Sequence, residues 1–259
     1  MELHFYKYQG TGNDFILLDN RTGGLHLSTA QVALLCNRHF GIGADGLMLL
    51  EERSGYDFYM VYYNSDGNES TMCGNGGRCI TAFAQKLGIV GAHAHFTAID
   101  GAHKASINDN GTISLQMNNV NGIDVYSDYC LLNTGSPHYV TSVPNVQQVD
   151  VVRSGREIRH RPDFEPNGIN VNFVQHTPDG IWVRTYERGV EDETLSCGTG
   201  VTASAIASTG EATGYFDIVV QTPGGLLQVC FMKHSATTAE DVVLKGAASF
   251  VFEGDIVIS

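Results

Sequence analysis

A five-residue phrase that occurs twice constrains this chain more than any other feature: Met72-Cys73-Gly74-Asn75-Gly76 and Ser196-Cys197-Gly198-Thr199-Gly200. Each cysteine is followed by Gly-x-Gly and then by small and apolar residues, so each stands where a loop turns into a helix. The copies lie 124 residues apart, 197 minus 73, close to half of the 259 residues. Two related halves account for that spacing most simply, and their equivalent points would bring two thiols to one substrate.

The surroundings of the phrase repeat as well. Asp57 to Tyr63 is aromatic and β-rich, a strand ending at the turn sequence Asn64-Ser65-Asp66-Gly67, and Cys73 follows nine residues after Asn64. The next helix carries Ile80, Ala82, Phe83, Ala84 and Leu87 and closes at Gly88. In the second half Ile181 to Tyr186 is a strand ending at Glu187-Arg188-Gly189, ten residues before Cys197, and the small apolar helix after it stops at Gly210. Strand, polar loop, Cys-Gly-x-Gly and buried helix thus occur once per half. Elsewhere, Gly10-Thr11-Gly12-Asn13 reads as a tight loop that brings backbone and a short amide close to something. Ser28 and Gln31 have capping-box spacing, and Val32, Leu35, Cys36 and His39 follow at helical intervals up to Gly41 and Gly43, so Cys36 and His39 read as packing. Ile113, Leu115 and Met117 alternate with polar residues as a strand near the end of the first half.

Composition removes several function classes. Fifteen basic against twenty-eight acidic residues give a net charge of −13, which opposes binding of a phosphate backbone. The densest basic stretch, Arg153 to Arg161, lacks interleaved aromatics and reads as a solvated helix face. No apolar run approaches the roughly 18 residues of a membrane span, and the start Met1-Glu2-Leu3-His4-Phe5 shows no secretory signal, so a cytoplasmic location is the default expectation. Six widely spaced cysteines in a chain of this size do not suggest a disulfide framework, and most of them read as inert core residues.

Two of the six are placed for chemistry. A helix start offers backbone N–H groups with no intrahelical partner and the positive end of the dipole, so it binds anions and favours thiolate over thiol. Two such starts aimed at one point would grip a carboxylate and leave a thiol on each face of its α-carbon. One cysteine would remove the α-proton and the other would deliver a proton to the opposite face, inverting the stereocentre with N–H donors stabilising the carbanion. Neither a metal nor an organic cofactor is demanded.

With these residues the chain resembles the diaminopimelate epimerases, pyridoxal-independent enzymes that interconvert LL- and meso-diaminopimelate on the route to lysine and peptidoglycan. The matching stretches are GTGNDF at Gly10, GIGADG at Gly41, NSDGNESTMCGNGGRC from Asn64, GSPH at Gly135, INVNFV at Ile169 and ERGVEDETLSCGTG from Glu187. The resemblance implies that Cys73 and Cys197 are the acid/base pair, and that Gly74, Asn75, Gly198 and Thr199 hold the reacting carboxylate. It further implies that Asn13, Asn64 and Asn170 contact substrate, that Arg188 receives the distal carboxylate, and that Glu187, also a substrate contact, and His138 tune the cysteines. The fold it implies is α/β, with two pseudo-symmetric domains, each a curved mixed sheet around a central helix, and the site in the cleft between them. Their expected extents are 1–118 joined by a returning strand at 249–259, and 119–248. Three departures from the family pattern stand out. Ser136 precedes Pro137-His138 where many members have asparagine, the segment from Arg188 to Cys197 is one residue longer, and Gly46 stands where some members have glutamine.

Rival readings rest on less. Proline and hydroxyproline racemases also pair two cysteines, but there histidine usually follows the first Cys-Gly and aspartate precedes the second. Asn75 and Glu187-Arg188 favour a substrate with a second charged end. The phenazine-biosynthesis isomerase type lacks the cysteine pair. A metal-binding module could draw on Cys36, His39, Cys73 and Cys79, or on His93 and His95, but the spacings form no compact zinc pattern. The expected partner is a small-molecule substrate, with no nucleic acid, no membrane and no metal, and a homodimer is left open.

Overall fold

Alternating apolar residues at the start of the chain form a hairpin. Strand β1 (Glu2–Gly10) pairs antiparallel with β2 (Asn13–Asp19), with Gly10 opposite Asn13. The turn is therefore the two residues Thr11 and Gly12, both at positive φ, 49° and 84°. A threonine there is strained by about 1–3 kcal/mol, which draws attention to what its hydroxyl does. Helix α1 (Thr29–Cys36) starts at the predicted Ser28–Gln31 capping box. It stops at Cys36, three residues short of His39, because the Asn37 side chain accepts the N–H groups of His39 (2.9 Å) and Phe40 (3.0 Å) and winds the chain into a turn. His39 is consequently exposed rather than packed, whereas Cys36 is buried with Val32 and Leu35 against Ile16, Leu18, Leu47 and Leu49. Each such fully buried aliphatic side chain contributes about 1.5–3 kcal/mol.

Four elements then lead into and out of the first Cys-Gly-x-Gly. Strand β3 (Gly46–Glu51) is parallel to β2, and β4 (Tyr59–Asn64) and the short β5 (Glu69–Ser70) follow antiparallel. Helix α2 (Gly74–Lys86) begins directly after Cys73, and its first ten residues except Ala82 are buried. Beyond it, β6 (His93–Ala98) joins β4 in parallel, and β7 (Gly101–Ile107) and β8 (Ile113–Gln116) continue antiparallel.

The second half repeats this order. After β9 (Ile123–Val125) come β10 (Cys130–Asn133) and β11 (Pro137–Ser142), antiparallel, then α3 (Val151–Arg159), the basic helix read as solvated, whose Arg153 side chain is 76% exposed. Strand β12 (Asn170–Thr177) is parallel to β11, and β13 (Gly180–Glu187) and the short β14 (Asp192–Thr194) are antiparallel. Helix α4 (Gly198–Ser208) begins directly after Cys197. Strand β15 (Gly214–Thr222) joins β13 in parallel, followed by β16 (Gly225–Ser235) and β17 (Thr238–Gly246). Pair by pair, the sense of the ladder from β10 to β16 is that from β1 to β7, with α3 in the place of α1 and α4 in the place of α2.

The last strand, β18 (Ser249–Val257), pairs antiparallel with β1. The computed structural model describes Met1 through Ile258, and the chain divides into one unit of Met1–Leu115 with the stretch from Gly246, and another of Gln116–Lys245. Both are mixed α/β units. Among the described residues no helix is long and apolar enough to cross a membrane.

Candidate active site

In the first unit the Cys73 side chain is the N-cap of α2, and its sulfur accepts the Gly76 N–H at 3.2 Å. The second glycine of the phrase eases this approach: a Cβ on Gly76 would lie 3.1 Å from Cys73 Sγ and 3.2 Å from Met48 Cε, both movable side-chain ends. Beneath the helix start lies Arg78, fully buried, with all four of its hydrogen bonds going to neutral oxygens. They are Gly74 O (3.2 Å), Asn75 Oδ1 (3.1 Å), Thr11 Oγ1 (3.2 Å) and Ala247 O (3.4 Å). The strained Thr11 hydroxyl is thus an acceptor for the guanidinium. Burial pulls Arg78 below its ordinary value, but guanidinium keeps its proton in proteins, so a positive charge sits behind an N-terminus that is already positive.

Asn75 turns its Oδ1 inward to Arg78, and its Nδ2 donates to Asn13 Oδ1 at 3.3 Å. Asn13 in turn donates to Asp45 Oδ2 at 2.7 Å. Asp45 belongs to an ion network in which Arg38 bridges it (2.7 Å) to Asp14 (2.7 Å), while Lys7 holds the other Asp14 oxygen at 2.8 Å. Burial alone would raise the Asp14 carboxyl, but hydrogen bonds from Arg38 and Lys7 hold it down at about 2. Two of the predicted residues, Asn13 and Asn75, are therefore brought together. Asn64 ends β4 opposite Gly46 and is exposed. A Cβ on Gly46 would lie 2.6 Å from the Tyr62 ring, so this chain has a tyrosine edge where a glutamine side chain would start.

In the second unit Cys197 precedes α4 but makes no capping bond to the helix, and its sulfur lies 3.5 Å from Thr199 Oγ1. Here the second glycine is forced, since a Cβ on Gly200 would stand 2.4 Å from Asn172 Oδ1. Ser136 Oγ lies 3.2 Å from Thr199 Oγ1, 3.0 Å from His138 Nε2 and 3.1 Å from Asn170 Nδ2. His138 is fully buried, with Nδ1 at 3.1 Å from Asn172 Nδ2. Burial, with a smaller push from the Arg188 charge, lowers it to about 3, so the ring is neutral. Thr134 Oγ1 donates to Thr199 O at 2.8 Å and pins the first turn of α4.

Glu187 and Arg188 close β13. Glu187 accepts the Thr194 hydroxyl at 2.8 Å, and the Arg188 N–H donates to Asn170 Oδ1 at 2.9 Å. The Asn170 amide hydrogens go to Ser136 Oγ and to Pro137 O (3.1 Å), so within this unit Asn170 ties Ser136 to Arg188. The lengthened segment after Arg188 is anchored by Glu191, at positive φ of 60°, which accepts from Tyr186 (3.1 Å), Arg159 (3.2 Å) and Gly189 N (3.0 Å).

Burial pushes the Cys36 and Cys79 thiols up to about 12, which leaves them inert at neutral pH. Among the described residues no group of three or more histidine, cysteine or acidic side chains could hold a metal ion.

The model of the family described as diaminopimelate epimerase matches residues 5–123 and 130–251. The chain belongs to that family. It is 53% identical over 258 residues to a diaminopimelate epimerase from Flavobacterium psychrophilum, covering 98% of this chain and all of the relative, and 42% identical to one from Chlorobaculum tepidum, covering 96% and 99%. Solved structures share the fold at far lower identity. A phenazine biosynthesis protein of the PhzF family from Bacillus anthracis superposes with a TM-score of 0.76 at 13% identity over all of both chains. A hydroxyproline epimerase from Agrobacterium vitis does so with 0.70 at 14% identity, over 98% of this chain and 92% of its own.

Within that family frame, four residues with clear structural work went unnoticed in the sequence: Thr11, Asp45, Arg78 and Asn172. Two had a usable signal. Asn172 lies two residues after Asn170 in a strand, so both must face the same side, and Arg78 is a charge among the small and apolar residues from Gly76 to Ala84. Asp45 and Thr11 are turn-rich segments in sequence, and only the fold brings them to Asn13 and Arg78.

Proposed function

We propose that this protein epimerises diaminopimelate between its LL and meso forms, with Cys73 and Cys197 as the two acid/base groups on opposite faces of one α-carbon. The thiolate of one takes the α-proton and becomes a thiol; the electron pair passes into the carboxylate; the thiol of the other gives its proton to the opposite face and becomes the thiolate. The reverse reaction exchanges the roles, and no proton is lost or gained overall. The observation that carries this reading is that two topologically equivalent helix starts each present a cysteine beside Gly-x-Gly.

First-turn N–H groups of Gly74 and Asn75, and of Gly198 and Thr199, have no acceptor within their helices and suit the carboxylate on which charge develops. The Arg78 charge behind the first cradle strengthens it. Asn13, Asn64 and Asn170 would orient the substrate, Arg188 would take the distal carboxylate, and Glu187 and His138 would tune the thiols. The reading needs no pyridoxal phosphate and no metal, places the enzyme in the cytoplasm among the steps that make lysine and peptidoglycan precursors, and is compatible with a homodimer.

Solvent-deuterium exchange at the α-carbon, followed with LL- and meso-diaminopimelate and with D- and L-proline, tests it. Exchange and inversion of diaminopimelate alone are expected. Turnover of proline in place of diaminopimelate would move the protein to the racemase reading, and exchange with neither would end the proposal.

A further inference from the structure

The hydrogen bonds around His138 have only one consistent direction. Asn172 Nδ2 faces the Tyr139 carbonyl at 3.0 Å, which can only accept, while its Oδ1 receives the Thr185 hydroxyl at 2.9 Å. The amide orientation is therefore fixed, and the second Nδ2 hydrogen points at His138 Nδ1. A neutral imidazole has one donor and one acceptor. With Nδ1 accepting, the proton is on Nε2 and is donated to Ser136 Oγ.

Ser136 Oγ also accepts from Asn170, whose own orientation is fixed twice, by Pro137 O and by the Arg188 N–H. A hydroxyl has two lone pairs and one hydrogen. Both lone pairs are used, so the hydrogen goes to the remaining neighbour, Thr199 Oγ1. Thr199 then has its own hydrogen to direct at Cys197 Sγ.

We infer that Asn172, His138, Ser136 and Thr199 form a one-way hydrogen-bond relay that ends on the Cys197 sulfur and favours its thiolate, with Ser136 as the junction and Asn172 as the origin. Asn172, His138 and Ser136 act as positioning residues in this respect, since only Thr199 touches the reacting atom. Serine is the residue that makes the junction work, because one hydroxyl accepts from an imidazole N–H and an amide N–H and passes a single hydrogen onward. The charged groups beside the relay in this unit are Glu187 and Arg188 at the end of β13; β11 brings only His138, and β12 and α4 bring no charged side chain to it. The use of Cys197 in catalysis rests on the proposed function, but the direction of the relay does not.

Two readouts on the intact protein test it without an activity assay. Nitrogen-15 histidine NMR should find His138 neutral with its hydrogen on Nε2. Site-resolved alkylation, read by peptide mapping as a function of pH, should give a Cys197 midpoint that rises by about one pH unit in Ser136→Ala and at least as much in Thr199→Val, while the Cys73 midpoint stays in place. Ser136→Thr and Thr199→Ser, which keep the hydroxyls, should restore the wild-type Cys197 midpoint. A hydrogen on Nδ1, an unmoved Cys197 midpoint in Thr199→Val, or equal shifts at both cysteines would overturn the relay. If the relay reads as expected but the wild-type protein exchanges no α-proton of diaminopimelate, the functional reading fails and the relay stands.

Discussion

The two cysteine-bearing helix starts have the same phrase, the same place in the ladder and different means of favouring a thiolate. Cys73 takes a hydrogen from the backbone, the Gly76 N–H of its own helix, with Arg78 buried behind. Cys197 faces a side-chain hydroxyl, Thr199, fed by Ser136 and His138. The register explains why. In the first unit β2 and β3 place Phe15 beside Gly46; in the second, β11 and β12 place His138 beside Asn170. One pair is apolar and without hydrogen-bonding side chains, the other is a donor and acceptor set. The repeat supplies a cysteine at a helix start in both units, and divergence at these strand starts supplies the asymmetry that the proposed substrate requires.

Removing either sulfur is the largest test of that equivalence. Cys73→Ala and Cys197→Ala should each lower epimerisation of LL-diaminopimelate by at least about 10³-fold, measured by the appearance of the meso form. Retained activity in either variant would mean that the two starts are not a working pair. Next in size is the cation buried behind the first helix start. Arg78→Met leaves Thr11 Oγ1, Asn75 Oδ1 and Gly74 O without their donor, and should cost about 3 kcal/mol of stability in urea unfolding. A cost below about 1 kcal/mol would show that these oxygens find other donors.

The second unit has its own signature, in pH. The folded-state value of His138, about 3, lies below the ordinary value of about 6.5. As pH falls the unfolded chain takes up this proton first, so stability is full above about pH 6.5 and declines through acid toward pH 3, at up to about 1.4 kcal/mol for each pH unit. Urea unfolding at neutral and mildly acid pH should show a drop of about that slope, and His138→Gln should flatten it. An equal slope in the variant would assign the acid sensitivity to other groups; Asp14 adds its own loss only below its ordinary value of 3.8, complete near pH 2.

The glycines sharpen the comparison further. A Cβ at Gly200 meets Asn172 Oδ1 at 2.4 Å, an atom held by Tyr139 O and Thr185 through the rest of its amide, whereas at Gly76 it meets the movable ends of Cys73 and Met48 at 3.1 and 3.2 Å. Gly200→Ala should therefore cost about 2 kcal/mol and Gly76→Ala under about 1 kcal/mol, the helix propensity of alanine offsetting part of each. Thermal unfolding of the two variants side by side measures the difference, and the reverse order would contradict the packing described.

Much of this was legible from residue order because glycine and cysteine report local geometry: the cysteines, their following glycines and the strand-then-helix order around them are all short-range. Helix α1 began at its capping box as expected and ended early because Asn37 bound its neighbours, a competition between side chain and helix that periodicity does not register. Arg78, Asp45 and Asn172 were hidden for a different reason. Their partners lie anywhere from 3 to 169 positions away in the chain with nothing in the spacing to pair them, and a buried charge satisfied by neutral oxygens has no acidic counterpart to look for. The role of Ser136 was hidden for a third reason, because it depends on the direction of hydrogen bonds and not on residue type.

Asp45 gives the smallest and most selective test. Its carboxylate accepts from Asn13 Nδ2 at 2.7 Å, and Arg38 holds that carboxylate in place. Asp45→Asn keeps the shape and can still accept through one oxygen, but it weakens the bond from Arg38, so the Asn13 amide should lose orientation and not be lost from the site. If Asn13 orients substrate, KM for diaminopimelate should rise a few-fold, about 1 kcal/mol or less, with kcat nearly unchanged. Asn170, which stands in the second unit where the first has Gly46, is instead held by backbone groups, Pro137 O and the Arg188 N–H, and no single carboxylate substitution can loosen it. A fall in kcat with KM unchanged in Asp45→Asn would place Asn13 in transition-state stabilisation, and the two units would then differ in the work of their asparagines as well as in the tuning of their thiols.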